Sequence, residues 1–315
     1  MVTQRPRCLA FVLFLALAAL LPSVAGAAAE IDPALLAGLK ARSIGPANMS
    51  GRVTAIVGTE SDPDLLYVGS AAGGIWKSVN GGVTWEPIFD DQPVASIGAL
   101  AVFQPTPDLI WAGTGEGNVR NSVSIGGGVF RSLDGGRTWK NLGLEATERI
   151  SRIVLHPTNP DVAYVAALGR LWGENAERGV FRTTDGGRTW KKVLFVDEKT
   201  GAAELAMDPA NPNKLIASMW QFRRWPYKFE SGGPGSGLYV TYDGGETWKK
   251  YTEEDGLPKG DLGRTAVAFS RSSPSTVYAL VEAEKSALLR SDDGGRRWRT
   301  VNSDQQTADR PFYYS

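Results

Sequence analysis

Cysteine and histidine are nearly absent from this sequence of 315 residues, which contains one of each. Cys8 lies close to the N-terminus, so the rest of the chain has no thiol for a disulfide or a soft metal ion. His156 lies in the turn-like stretch "LHPTNPD" (155–161). A zinc site or a Ser-His-Asp triad therefore has too few residues of the right kind, and we expect no metal and no cofactor.

An excess of charge is also absent, since 34 Lys and Arg balance 34 Asp and Glu. A domain that binds nucleic acid usually has a basic patch or stripe to neutralise phosphates. The phosphate-binding pattern G-x-x-x-x-G-K-[ST] does not occur in the sequence. We therefore expect no nucleic-acid partner.

Long apolar runs are missing except at the N-terminus. There, "CLAFVLFLALAALL" (8–21) follows a basic segment and precedes small residues at A-x-A spacing. Because a membrane span needs about 20 apolar residues, this pattern predicts a signal peptide over residues 1–27. We expect an exported protein, periplasmic or extracellular, without stable membrane insertion after cleavage. Residues 28–50 are interpreted as a linker with a short helix, in which Asp32 is the N-cap and Pro33 the first helical residue.

Glycine, by contrast, is abundant at 37 residues, and much of it recurs in the pattern S/T-x-D-G-G-x-T-W. The pattern has a period of about 50 residues, which predicts a propeller or a solenoid. Its five occurrences are "SVNGGVTW" (78–85), "SLDGGRTW" (132–139), "TTDGGRTW" (183–190), "TYDGGETW" (241–248) and "SDDGGRRW" (291–298).

Each repeat also contains three further β-rich runs separated by turn residues, as in "RISRIVL", "VAYVA" and "GVFRT" of the third unit. Four such strands per unit predict an all-β propeller of antiparallel blades over residues 51–315. The blades are placed at about 51–90, 95–145, 149–197, 202–252 and 264–303. "RPFYYS" (310–315) resembles the first strand of a sixth blade. We interpret the chain as the N-terminal part of a larger propeller, whose further blades would be partners, or alternatively as a five-bladed ring closed by this segment.

The repeated pattern has a structural interpretation as the hairpin between strands three and four. Paired glycines supply the positive φ of a tight turn, and the Asp side chain can accept hydrogen bonds from turn N–H groups. We expect the tryptophan to pack against the next blade. The predicted structural residues at the Asp position are Asn80, Asp134, Asp185, Asp243 and Asp293.

These stretches resemble Asp-box, or BNR, repeats, which occur in sialidases, xyloglucan-degrading glycoside hydrolases, sortilin-type receptors and a photosystem assembly factor. From "RSIGPANMSGRV" (42–53) to "RPFYYS" (310–315), the chain most resembles large exported bacterial BNR-repeat proteins of the sortilin N-terminal or glycosyl-hydrolase-like type. The resemblance implies a propeller. It implies little about activity, because unrelated functions share the repeat.

The loops between strands two and three should share the face opposite the Asp boxes. They are long in units two, three and four, at residues 114–127, 167–179 and 219–236. Long loops on a rigid scaffold often carry function, so we predict that they bind a protein, peptide or carbohydrate; the alternative is that their side chains only pack together. The candidate ligand-binding residues are Asn118, Arg120, Asn121, Trp172, Arg178, Trp220, Arg223, Arg224, Trp225 and Tyr227.

The alternative function is glycoside hydrolysis, which needs two carboxylates about 5 to 10 Å apart. Glu116 and Glu174 are the candidate catalytic pair. The family comparison argues against this alternative. In the xyloglucan-degrading enzymes, a catalytic Asp lies just before the Gly-Gly of the first blade, where this chain has Ala71 and Ala72. We therefore favour a binding module over an enzyme.

Overall fold

The computed structural model describes residues 51–304, and strands and turns make up nearly all of this part. The predicted signal peptide, the short helix after Asp32 and the "RPFYYS" segment lie outside the described residues. Within residues 51–304, the helical segments are two short 3₁₀ turns, Glu145–Thr147 and Glu253–Asp255. The all-β prediction is therefore confirmed.

Five antiparallel sheets follow one another along the chain, and the strands of each pair in chain order, except that one short strand of the fourth sheet, Phe229–Ser231, pairs only with an extension of the strand before it. The blades are β1 (Val53–Gly58), β2 (Leu66–Ser70), β3 (Ile75–Ser78) and β4 (Glu86–Pro87); β5 (Ile97–Val102), β6 (Ile110–Thr114), β7 (Val129–Ser132) and β8 (Lys140–Asn141); β9 (Ile150–Leu155), β10 (Ala163–Ala167), β11 (Gly179–Thr183) and β12 (Lys191–Leu194); β13 (Thr200–Asp208), β14 (Asn211–Arg224), β15 (Phe229–Ser231), β16 (Gly237–Thr241) and β17 (Lys249–Lys250); and β18 (Thr265–Phe269), β19 (Val277–Val281), β20 (Ala287–Ser291) and β21 (Arg299–Asn302). The first strands β1, β5, β9, β13 and β18 lie side by side in that order, as in a propeller.

The hydrophobic core is divided among the interfaces between successive blades. Tyr67 and Ile75 of blade one share a cluster with Ile97, Ile110 and Phe130 of blade two. Similar clusters join blades two and three, three and four, and four and five. Because a middle blade is covered on both faces, its second strand is buried along its whole length, and all five residues of β6 and of β10 are buried.

The Asp box forms the turn between the third and fourth strands, as predicted. In blade two, Asp134 Oδ1 accepts hydrogen bonds from the Ser132 hydroxyl at 2.8 Å and from the Thr138 N–H at 2.9 Å. The Ser132 hydroxyl in turn accepts from the Gly136 N–H at 2.8 Å. Gly135 and Gly136 have φ values of 68° and 91°, which favour glycine. The box is therefore a closed network of turn hydrogen bonds.

The tryptophans of the second to fifth boxes pack against the preceding blade, so the expectation of contact with the next blade is wrong for these four. Trp139 Nε1 donates to the Ile88 carbonyl of blade one at 2.7 Å, and Trp190 Nε1 donates to the Leu142 carbonyl of blade two at 2.8 Å. Ile88 and Leu142 each come directly after the fourth strand of the preceding blade, so the indole packs at the end of that strand. In the first box, Trp85 Nε1 instead donates to Gly82 of its own turn.

Candidate functional site

The three long loops meet on the face opposite the Asp boxes. Val119 of the blade-two loop, Leu171 of the blade-three loop and Trp220 at the start of the blade-four loop belong to one buried apolar cluster. Arg224 links the same loops by polar contacts. Its Nε donates to Asn121 Oδ1 at 2.6 Å, and its backbone N–H donates to the Leu171 carbonyl at 3.0 Å. The loops therefore form one continuous surface.

The blade-four loop owes its order to an extension of the sheet. Strand β14 runs on past the blade and pairs with β15, with Phe222 opposite Ser231 and Arg224 opposite Phe229. The Trp225 N–H donates to the Lys228 carbonyl at 2.7 Å and closes the hairpin. Side chains alternate along this extension. As a result, residues that the sequence pattern placed in a loop are held on a paired strand.

An open pocket of about 160 Å³ lies between this hairpin and the blade-three loop. It contains four of the predicted site residues, Glu174, Arg178, Arg223 and Trp225. The complete lining is Gly173, Glu174, Arg178, Lys199, Gln221, Phe222, Arg223, Trp225, Glu230 and Gly232. This pocket, called here the loop-face pocket, is the candidate functional site.

Arg178 is fully buried at the base of the pocket and is fixed by backbone carbonyls. Its Nη1 donates to the Lys199 carbonyl at 2.6 Å, and its Nη2 donates to the carbonyls of Arg170 at 2.7 Å and Gly173 at 3.0 Å. The guanidinium also lies 4.4 Å from the Phe222 ring centre. Burial lowers the pKa of Arg178 to about 10, which leaves it charged at neutral pH.

The pocket wall formed by the hairpin presents a flat cation on an aromatic ring. The Arg223 guanidinium carbon lies 3.8 Å from the Trp225 ring centre. Glu230, opposite Arg223 on β15, accepts a hydrogen bond from Lys228 at 2.7 Å, and this bond lowers the pKa of the Glu230 carboxyl. Glu174 is exposed to a similar degree as Glu230 and lies 3.8 Å from the Lys199 ammonium.

Glu116 lies elsewhere. Its carboxylate is fully buried, and its two oxygens accept from Arg52 Nε at 2.7 Å and Nη2 at 2.5 Å. Glu116 does not line the loop-face pocket, so the structure does not bring it into one pocket with Glu174. Glu116 is kept out of the pocket because a buried carboxylate needs a counter-charge, and here Arg52 supplies it.

The remaining predicted residues surround the pocket without lining it. Trp220 is fully buried, stacks on Phe222 at 4.6 Å and supports the hairpin from beneath. Trp172 and Tyr227 are 45% and 86% exposed, and Tyr227 lies at the hairpin tip. Those that contact neighbouring loops or are half-buried are Asn118, Arg120, Asn121 and Arg224.

Sequence reasoning missed four side chains of the lining, Lys199, Gln221, Phe222 and Glu230. Three of them belong to the blade-four loop that the sequence had already singled out. Lys199 lies in the connection between β12 and β13, and connections between blades share this face. Lys199 could therefore have been predicted as a site residue from its place in a connection between blades.

Metal-binding groups and membrane-spanning helices are the next two features to consider among the described residues. Residues 51–304 contain no group of three or more His, Cys, Asp or Glu side chains arranged to hold a metal ion. The same part of the chain has no helix with the length and apolarity needed to cross a bilayer.

Comparisons with known proteins point to two kinds of propeller. A family model described as "Sortilin, neurotensin receptor 3" matches residues 127–256, the stretch from β7 to β17. A xyloglucanase of Paenibacillus sp is 25% identical over 266 residues, covering 80% of this chain and 21% of that protein. A xyloglucanase of Acetivibrio thermocellus is 26% identical over 178 residues, covering 48% of this chain and 20% of that protein.

Among solved structures, a GH74 xyloglucanase from Xanthomonas campestris superposes with a TM-score of 0.60 at 19% identity, covering 80% of this chain and 38% of that one. This likeness supports the propeller fold. The chain spans about a fifth of the length of the curated relatives it matches, at 21% and 20% of the two named above.

Proposed function

We propose that this chain, an Asp-box β-propeller, binds a polysaccharide through the loop-face pocket. The observation that carries the proposal is the lining itself. The Trp225 ring and five charged side chains line an opening beside the paired β14–β15 hairpin. Sugar rings combine apolar faces with hydroxyl edges, and a site of this composition can meet both. The resemblance to xyloglucanases supports a carbohydrate over a peptide as the ligand.

The test is titration calorimetry of the full chain with a set of plant cell-wall oligosaccharides, comparing wild type with Trp225→Ala. We expect the substitution to weaken binding about tenfold, because an aromatic contact contributes on the order of 1 kcal/mol. Tyr242→Ala is the matched control, since Tyr242 is exposed in an Asp box on the opposite face. If no oligosaccharide binds, or if both variants weaken binding equally, the proposal is wrong.

A second candidate, hydrolysis of the bound glycan, rests on the two carboxylates that share the pocket, Glu174 and Glu230. A glycosidase needs one protonated carboxyl as general acid. The hydrogen bond from Lys228 lowers the pKa of Glu230 and so keeps it ionised, which suits a base or nucleophile better than an acid. Ala71 and Ala72 occupy the place of the catalytic Asp in the resembling enzymes. Binding without cleavage is therefore the primary proposal.

Release of reducing ends from xyloglucan distinguishes the two candidates. We expect no release above background from the wild-type chain. Measurable release that disappears in both Glu174→Gln and Glu230→Gln, while Asp304→Asn retains it, would establish the hydrolase alternative instead. Asp304 lies at the end of the described chain, outside the pocket.

A further inference from the structure

The charges around the loop-face pocket do not balance. Three cations line it, Arg178, Lys199 and Arg223, against two carboxylates, Glu174 and Glu230. Both carboxylates already have ammonium partners, Lys199 at 3.8 Å from Glu174 and Lys228 at 2.7 Å from Glu230. Within residues 51–304, neither Arg178 nor Arg223 forms an ion pair with a carboxylate. The pocket therefore contains two guanidinium groups with no carboxylate in ion-pair contact, although Asp197 and Glu174 act on Arg178, and Glu230 on Arg223, through their charges at longer range.

Arg178 is the guanidinium group for which the missing ion pair matters more, because it is fully buried. Its Nη atoms bind three carbonyls, which satisfy donors but do not neutralise the charge. Its Nε is buried and makes no hydrogen bond within the described part of the chain. Desolvation is the main cause that lowers the Arg178 pKa; the charges of Asp197 and Glu174 oppose it, and those of Arg149 and Arg223 add to it.

Resting on the carbohydrate function proposed above, we propose that the sugar unit bound in this pocket is acidic and carries a carboxylate, as a uronic acid does. A carboxylate in the pocket would supply the direct ion pair that Arg178 and Arg223 lack. The planar guanidinium of Arg223 suits it well, since it can present two N–H donors to one carboxylate, whereas Arg178 already binds carbonyls with both Nη2 donors and contributes its charge.

The size and composition of the pocket fit one sugar unit of a longer chain. Its volume of about 160 Å³ is below the about 300–1,000 Å³ of sites that enclose a whole drug-sized ligand. Trp225 is half-buried in the wall, with Arg223 stacked on it at 3.8 Å. The ring and the guanidinium together offer an apolar surface beside a positive charge. A uronate residue presents the matching combination of a ring face and a carboxylate at its edge.

The experiment compares an oligogalacturonate with a neutral xyloglucan oligosaccharide of similar length, each titrated into the full chain at low and at physiological salt. We expect the acidic oligosaccharide to bind at least about tenfold more tightly at low salt, and this advantage to shrink as salt screens the charges. Arg223→Gln and Lys199→Gln should each weaken binding of the acidic ligand about tenfold more than binding of the neutral ligand, because only the acidic ligand loses an ion pair.

Arg271→Gln is the matched control, because it removes the same charge from the turn between β18 and β19, where Arg271 pairs with Glu60. It should leave both affinities unchanged. Equal binding of the two oligosaccharides, or tighter binding of the neutral one, would overturn the acidic-ligand inference while supporting the carbohydrate function. Failure of both to bind would overturn the carbohydrate function itself.

Discussion

At the scale of the residue, each Asp box depends on one hydroxyl and one side-chain oxygen that hold the same turn. The chain contains natural variants of this network. In the first box, Asn80 Oδ1 accepts from the Thr84 N–H at 2.9 Å, while its Nδ2 donates to the Thr84 hydroxyl at 2.8 Å. In the fifth, Asp293 accepts from the N–H groups of Arg296 and Arg297 at 2.9 and 3.0 Å. The backbone contacts persist when the side chains change, which is why we regard the box as structural.

The buried hydroxyl of the box should matter more for stability than its solvent-facing neighbours. Thr183 Oγ1 accepts from the Gly187 N–H at 2.9 Å and donates to Asp185 at 2.8 Å. Thr183→Val leaves that buried N–H without an acceptor, so we expect a loss of about 1–3 kcal/mol in the free energy of unfolding measured in urea. Thr183→Ser keeps the hydroxyl, as in the Ser-containing boxes, and should lose less than half as much. Equal losses in the two variants would contradict this role.

The Asp-box carboxylates should make stability depend on pH in acid. Hydrogen bonds from the Thr138 hydroxyl and N–H lower the pKa of Asp134 to about 2, below its unfolded value of about 4. This group therefore stabilises the fold fully above about pH 4, and its contribution is lost as pH falls towards about 2. Asp134→Asn should flatten the fall of the melting temperature over that range. A variant with the wild-type pH profile would show that Asp134 does not contribute.

At the scale of the element, the β14–β15 hairpin is the part that sequence reasoning placed least well. The Asp-box pattern predicts the turns between strands three and four, and apolar runs bounded by turn residues predict the strands, because both signals are local in the sequence. The segment 219–236 contains Gly and Pro residues that favour a loop, yet its first six residues, 219–224, continue β14. The extension depends on tertiary contacts of Trp220 and Phe222 with the blade-three loop, which no local pattern contains.

The same limit explains the outcome for Glu116. Its place in a long loop correctly indicates the functional face, but its pairing partner Arg52 is distant in sequence. Whether a carboxylate lines a pocket or is buried in an ion pair depends on that partner. Sequence alone identified the loops that form the pocket and four residues of its lining, but not the charge balance within it.

Ser231 fixes the β14–β15 hairpin to its surroundings, and we expect removal of its hydroxyl to loosen this hairpin alone. Its hydroxyl accepts from Trp220 Nε1 at 3.0 Å and donates to Glu282 of blade five at 2.7 Å. Ser231→Ala should raise amide hydrogen exchange at least about fivefold in residues 222–231, because the strand pairing there is short. Exchange in β10, which lies in a fully buried blade interior, serves as the internal control. Unchanged exchange in the hairpin would argue against this contact.

At the scale of the whole molecule, the placement of the cores between blades means that a middle blade has little core of its own. Val165 and Phe181 of blade three, for instance, are buried together with Trp111 of blade two. A blade that unfolds therefore uncovers its neighbours, as in other repeat architectures.

We expect the described blades to unfold in one cooperative transition for this reason. Midpoints in urea should coincide when followed by circular dichroism, which reports strands, and by tryptophan fluorescence, which reports the blade interfaces. Trp190→Leu removes the indole that donates to Leu142 and packs on Trp111 at 6.2 Å, and it should lower both midpoints together. Two separated transitions would indicate that some blades are independent units.

In boxes two to five, the contact of the tryptophan with the blade before it gives the assembly a direction. When a ribosome releases the chain from its N-terminus, the surface that receives Trp139 or Trp190 has already been synthesised when the indole emerges. Each blade can therefore pack on the preceding, already synthesised blade as soon as it leaves the ribosome, before any later residues are made. The repeat is thus suited to growth by vectorial addition, and a blade duplicated in the gene would carry with it the means of attaching to its predecessor.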